Sequence, residues 1–363
     1  MNNHATIWLS NAKLVTPTGI RAGALAIRRG RIVGIRARAD GSGARIDVRG
    51  RYVAPGFVDL HIWGEPSTVA KQEARFGTTS FLSAVGPESP EGLVNHLVQQ
   101  HGAATTVGAR CLGLHLEGPF LNPLRAGALA SRWLRPPTSR ELRQLVRYGG
   151  NRLRLMTLAP ELPRGLETIR WCARRNIVVS LGHSDANDVV AERAIRAGAT
   201  AVTHAFNGMR PLHHRDPGLL GEVLTDDRLA AMVILDGVHV DPTAFQLLLR
   251  CKGAERIVLV TDSIRHQHGK TATLRHGAYY LNDQTLAGSA LTMMRAVRNA
   301  VAFGASSLQD AVRMATLNPA RLIGEADRIG SLEIGKQADL VVFDRQFKVS
   351  MTFVDGQLVY SRK

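Results

Sequence analysis

The chain has 363 residues, 45% of them apolar, enough for one large core with a smaller module beside it. Its net charge is +16, from 39 arginines and 7 lysines against 30 acids. These bases are scattered, with no basic run and no interleaved aromatics, so the charge reads as a solvated surface that would steer an anionic small molecule, and nucleic-acid binding is not expected. Cys111, Cys172 and Cys251 lie far apart and suggest neither a disulfide framework nor a metal-binding spacing. A cytoplasmic protein is expected. The first residues, Met1-Asn-Asn-His-Ala-Thr-Ile, have no signal-peptide pattern, and no apolar run reaches bilayer-spanning length, so no membrane partner is expected.

Residues 5 to 53 read as short strands and turns, broken at Pro17-Thr-Gly19, Arg29-Gly30 and Asp40-Gly-Ser-Gly43. The stretches 335–343 and 351–360 read the same way, and a β module joining both ends of the chain is plausible because domain termini often lie close. Between them strands are predicted at 54–62, 77–85, 111–116, 153–159, 177–182, 199–204, 230–235 and 257–261. Amphipathic stretches such as 139–148, 165–175 and 188–197 alternate with them. Eight such units predict an α/β protein, a (β/α)₈ TIM barrel over 54–329, with a small β-sandwich formed by 1–53 and 330–363. An open doubly wound sheet is the alternative, but no glycine-rich dinucleotide fingerprint supports it. A hairpin is predicted near 278–286, then helices at 289–304 and 307–317.

Four of the predicted strands end in chemistry-bearing residues. Leu112-Gly-Leu-His-Leu-Glu117 runs into a carboxylate and then a Gly-Pro break; 178–183 ends in His183, 201–204 in His204 and 257–262 in Asp262. The C-terminal edge of barrel strands is where catalysis gathers. One lone histidine is more often structural than a ligand. A carboxylate and two imidazoles on one rim, however, have the composition of a catalytic metal site with an open position. Asp262 could be a helix cap, since Thr-Asp-Ser fits that too. At the end of a last barrel strand it reads as general base and then acid. Arg215, after the adjacent His213 and His214, has the planar fork that suits phosphate.

Read together, these residues resemble the amidohydrolase superfamily and, within it, the N-acetylglucosamine-6-phosphate deacetylase family. The resemblance is carried in order by Pro55-Gly-Phe-Val-Asp-Leu-His61, Leu114-His-Leu-Glu-Gly-Pro-Phe120, Gly182-His-Ser184 and Thr203-His-Ala-Phe-Asn-Gly-Met209. It continues through Arg215-Asp-Pro-Gly-Leu219, Asp236-Gly-Val-His-Val-Asp241, Val260-Thr-Asp262, Leu286-Ala-Gly-Ser-Ala-Leu-Thr-Met293 and Ala315-Thr-Leu-Asn-Pro-Ala320. The resemblance implies one divalent metal ion, Zn²⁺ by expectation, with ligands Glu117, His183 and His204. It implies Asp262 as the acid/base and Asn207, Gly208, Arg215 and His239 as substrate-binding groups. The implied reaction is hydrolysis of the N-acetyl group of a phosphorylated amino sugar, N-acetylglucosamine 6-phosphate or a close relative. A homodimer is expected.

Four departures from the superfamily or family pattern bear on the substrate. Trp63 stands where the superfamily usually has a second histidine and cannot ligate a metal. Leu129 replaces the histidine thought to polarise the scissile carbonyl, and Ser263-Ile-Arg-His-Gln-His-Gly269 replaces a small-residue stretch. The loop after Trp63, Gly64-Glu-Pro-Ser-Thr-Val, is also shorter than the family's glycine-rich segment. Two alternatives stay open at this point: an amidohydrolase of another N-acyl substrate, and a catalytically silent paralogue that binds a sugar phosphate.

Overall fold

The computed structural model describes residues 5–101, 107–267, 272–282, 284–304 and 307–362. Eight parallel strands follow one another in sequence order around a barrel: Phe57–Gly64, Thr78–Val85, Arg110–Glu117, Leu153–Leu158, Val178–Leu181, Ala201–Val202, Ala230–Ile234 and Ile257–Val260. They are buried on both faces because helices cover the outer one; every residue of Thr78–Val85 is buried, Thr78, Thr79, Ser80 and Ser83 included. The barrel closes just beyond the eighth strand. The Asp262 N–H donates to the His61 carbonyl at 2.8 Å, and Ser263–His266 then pairs in parallel with Phe57–Gly64.

The helical boundaries follow local chemistry. Thr138 accepts the Glu141 N–H at the start of Ser139–Gly149. Asn187 accepts the Val190 N–H before Asp188–Ala197, which ends on Gly198 at φ +118°. The helix expected at 289–304 begins later, at Met293, because 286–289 is a strand and Thr292 supplies the cap for Arg295. The expected hairpin is present: Ala278–Tyr280 pairs antiparallel with Leu286–Ser289.

The first expected barrel strand, 54–62, is divided between two sheets. Tyr52–Pro55 pairs with Leu340–Phe343 near the C-terminus, and the barrel strand starts at Phe57. Gly56 makes the switch. A Cβ there would lie 2.1 Å from Thr79 Cγ2, so only glycine lets the chain pass this close. The terminal strands form a separate eight-stranded sheet that joins Ile7–Thr16 and its neighbours to Leu340–Phe343, Val349–Val354 and Gln357–Ser361. Its core draws on both ends, with Leu9, Leu25 and Ile32 packed with Leu340 and Phe353.

Arg110, at the bottom of the third barrel strand, ties this sheet to the barrel. Its Nη1 lies 3.0 Å from Asp339 and its Nη2 2.9 Å from Asp355. Burial raises the Asp339 carboxyl, and Arg110 works against that rise. Removing one partner of a buried pair leaves an uncompensated charge. Arg110→Ala is therefore expected to cost about 3 kcal/mol in urea unfolding, and Asp339→Asn in the same chain should recover much of it. A single variant as stable as the parent rejects the pairing as a structural tie.

Candidate active site

Glu117 lies at the centre of the barrel's C-terminal rim, 2% exposed. Its Oε1 is 3.0 Å from His204 Nε2, 3.3 Å from His183 Nε2 and 3.4 Å from His61 Nε2. The two expected imidazoles are themselves 3.1 Å apart, Nε2 to Nε2. Each is aimed by its other nitrogen, His183 Nδ1 at the Arg125 carbonyl (2.7 Å) and His204 Nδ1 at the Asn207 carbonyl (3.2 Å). A ligand histidine is normally fixed in this way through its far nitrogen.

His61 is the residue that sequence reasoning left out of the site. In the sequence it stands only at the end of the Pro55–His61 motif, two residues before Trp63. In the structure His61, Glu117 and His204 each offer one ligand atom, all within 4.8 Å of one another. His61 Nε2 is buried and lies 3.2 Å from Asp262 Oδ1 without an aligned hydrogen bond. Its Nδ1 meets His115 Nδ1 at 2.8 Å, and His115 Nε2 continues to Thr157 Oγ1 at 2.7 Å, a polar chain inside the barrel. Burial acts to lower the His61 pKa, but the Glu117 and Asp262 carboxylates outweigh it and hold it at about 10. Burial similarly opposes Glu117, and the surrounding imidazoles pull its carboxyl well below the ordinary range. A buried carboxylate ringed by nitrogen ligands, one of them an orphan, fits a divalent cation of borderline softness.

Asp262 follows the eighth strand, at the barrel's seam. Burial raises its pKa, and the adjacent His61 overrides this to leave it lowered. Its Oδ1 accepts the Trp63 indole N–H at 2.8 Å. Trp63 thus supplies a hydrogen-bond donor to the carboxylate. His183, His204 and Asp262 have left-handed backbones, with φ of +46°, +33° and +47°. Such conformations are uncommon outside glycine and cluster at functional sites.

Above these residues opens a cavity of about 350 Å³. Asn207, Gly208 and His239 line it, as do Trp63, Leu129 and Leu286. His239 Nδ1 is engaged by Asp236 Oδ2 at 2.6 Å, which leaves Nε2 for a ligand. Arg215 is not brought to this wall. It is exposed, with Nη1 2.9 Å from His214 Nε2. His266 does not line this cavity; it is buried with Nε2 2.8 Å from Glu73, and His268 lies outside the described residues.

A hydrogen bond to a charged group contributes about 1.5–3 kcal/mol. Trp63→Phe is therefore expected to lower kcat about tenfold or more, with KM and metal content little changed. An unaltered kcat would show that the indole does not hold Asp262 in place.

A parallel barrel with a carboxylate–imidazole cluster and an acid on its C-terminal rim defines a class of barrel hydrolases. The chain belongs to the amidohydrolase family, whose sequence model matches residues 52–359, and within it to the N-acetylglucosamine-6-phosphate deacetylases. It is 34% identical over 336 residues to the Bacillus subtilis N-acetylglucosamine-6-phosphate deacetylase, covering 85% of each chain. It is 37% identical over 352 residues to the Homo sapiens enzyme, covering 87% of this chain and 85% of that one. Among solved structures, a mutant of the Mycobacterium smegmatis deacetylase in complex with N-acetyl-D-glucosamine-6-phosphate superposes with a TM-score of 0.89 at 30% identity. That match covers 99% of this chain and 100% of that one. The Pasteurella multocida deacetylase gives 0.88 at 29%, covering 98% and 100%.

Proposed function

We propose that the protein hydrolyses the N-acetyl group of N-acetylglucosamine 6-phosphate, giving glucosamine 6-phosphate and acetate. The observation that carries this reading is the convergence of Glu117, His183, His204 and Asp262 beneath one cavity. A divalent ion held by Glu117, His183 and His204, zinc by our reading and with His61 able to join them, would polarise the amide carbonyl and acidify water.

The proton work falls to Asp262. As a carboxylate it takes a proton from the attacking water, and as an acid it delivers that proton to the departing sugar nitrogen. The indole of Trp63 keeps Oδ1 in place during both transfers. Asn207, Gly208 and His239 hold the sugar phosphate from the cavity wall, with the backbone N–H of Gly208 and His239 Nε2 as donors. Arg215 is assigned to the phosphate by the resemblance alone, since its guanidinium lies in solvent outside that wall. We take the working form to be a cytoplasmic homodimer; among the described residues no helix is long and apolar enough to cross a membrane.

The test is acetate release from a panel of N-acetylated sugars with and without the 6-phosphate. Turnover confined to unphosphorylated sugars, or none at all, overturns the reading. Leu129 lines the cavity where the family places a carbonyl-polarising histidine, and it cannot donate a hydrogen bond. One such donor contributes about 10²–10³ in turnover. Leu129→His is accordingly expected to raise kcat by about tenfold or more. A variant no faster than the parent shows that position 129 does not face the reacting carbonyl.

A further inference from the structure

The catalytic cavity has a larger neighbour. A second chamber of about 660 Å³ opens beside it, and Trp63, Ala128 and Leu129 form part of the wall of both. All three of these shared residues are apolar. The chamber's other walls include Gly64 and Glu65 directly after Trp63, and Ala84 and Gly86 at the end of the second barrel strand. The polar side of the chamber is made by His96, Gln99, His266 and Gln267. The loop that follows Trp63 is short, since the helix Pro66–Glu73 starts only three residues later. Gly86 sets the position of the dividing indole: a Cβ there would lie 2.8 Å from Trp63 Cη2. Glu65 and Glu88 bring carboxylates to the lining.

The barrel's circular order gives the chamber a direction. Asn207 and Gly208 follow the sixth strand, and the chamber is built on the first and second. In a ring of eight strands the second and sixth are diametrically opposed. On the proposed function the sugar phosphate lies toward Asn207, Gly208 and His239, and the reacting carbonyl lies over Glu117 and Asp262. An amide carbonyl carries nitrogen on one side and its acyl substituent on the other. With the sugar nitrogen toward the sixth strand, the acyl substituent points at Trp63 and Leu129 and at the chamber beyond.

We propose that this chamber is an acyl-group subsite, and that the enzyme accepts amino-sugar phosphates whose N-acyl chain is neutral and longer than acetyl. The inference rests on the deacetylase reading and extends it. The hydrolysis is the same in its bonds and its balance: the C–N bond breaks, water supplies the oxygen of the released carboxylic acid, and one of water's protons goes to the amine. A neutral chain is specified because Glu65 brings a carboxylate to the lining and the Glu88 carboxylate is already engaged by His96 at 2.8 Å, so among the described residues of the wall no cation stands ready to hold an anionic one.

The experiment compares kcat/KM for the N-acetyl, N-propionyl, N-butyryl and N-hexanoyl forms of glucosamine 6-phosphate. Values that hold level or rise, by up to about fourfold per added methylene, are expected from apolar burial. A fall of tenfold or more at each added methylene, with acetyl still cleaved, overturns the proposal and leaves the deacetylase reading intact. Failure of every member of the series overturns both. Ala130→Trp is the control, because Ala130 lines the chamber but not the catalytic cavity. It should leave the acetyl substrate unchanged and cut butyryl and hexanoyl turnover by at least tenfold. Equal effects on all four substrates place the acyl chain elsewhere and reject the subsite.

Discussion

Asp262→Asn is expected to keep fold and metal content and to lose about 10²–10⁴ in turnover, the usual contribution of a general acid–base group. The substitution is well matched to the site. Asparagine tolerates the left-handed backbone that Asp262 adopts at φ +47°. Its amide oxygen can still accept the Trp63 N–H that now meets Oδ1 at 2.8 Å, so the side chain stays where it is. Only the ability to take up and return a proton disappears. Stopped acetate-release assays beside metal analysis and thermal melts separate this outcome from misfolding. Full activity in Asp262→Asn would falsify the proton-transfer role.

The second large effect is expected at Glu117. It brings the carboxylate to the centre of the candidate ligand set, with three imidazole nitrogens within 3.4 Å of one oxygen. Glu117→Ala leaves nitrogen donors buried around an empty space and removes the negative charge that offsets a dication. Metal content should fall from about one ion per chain, the count for a single catalytic site, to near zero, and turnover should fall with it. A readout independent of activity is available. Adding zinc to metal-stripped parent protein at a thousand times its Kd should stabilise it by about 4 kcal/mol, and the variant should show no such shift. Stoichiometric metal retained in Glu117→Ala would remove this residue from the ligand set.

Much of this arrangement was legible in the chain. Short strands rich in apolar residues, such as Ala230–Ile234 and Ile257–Val260, betray themselves because both faces are buried, and the Glu117 strand ended where its pattern stopped. The amphipathic stretch expected at 188–197 is the helix Asp188–Ala197, held to those bounds by the caps Asn187 and Gly198. The legibility failed where two sheets share a continuous apolar run: nothing in Ala54-Pro-Gly-Phe-Val announces that Gly56 separates them, because the reason is Thr79 pressing from another strand. It failed again at Trp63. A residue unable to bind metal reads as a loss, and its indole donor acquires meaning only once Asp262, distant in sequence, lies opposite. Arg215 illustrates the reverse case. A motif match named it, yet a local sequence pattern carries no information on whether a loop folds inward.

The seam at Asp262 has a consequence for how the protein comes to be active. Asp59, two residues before His61, accepts the hydroxyl of Thr261 at 2.6 Å across 202 positions of sequence. Asp262 is gripped on both sides, by the His61 carbonyl and by the Ser289 N–H at 2.9 Å. The reacting centre is therefore assembled from contacts of very long range, which are the slowest to form because the largest loop must close first. A growing chain on the ribosome cannot complete the site until the strand Leu286–Ser289 has emerged. Under mild denaturant the ring is expected to part first at this seam, with activity lost while most helical signal persists. Turnover in this protein thus doubles as a gauge of ring closure.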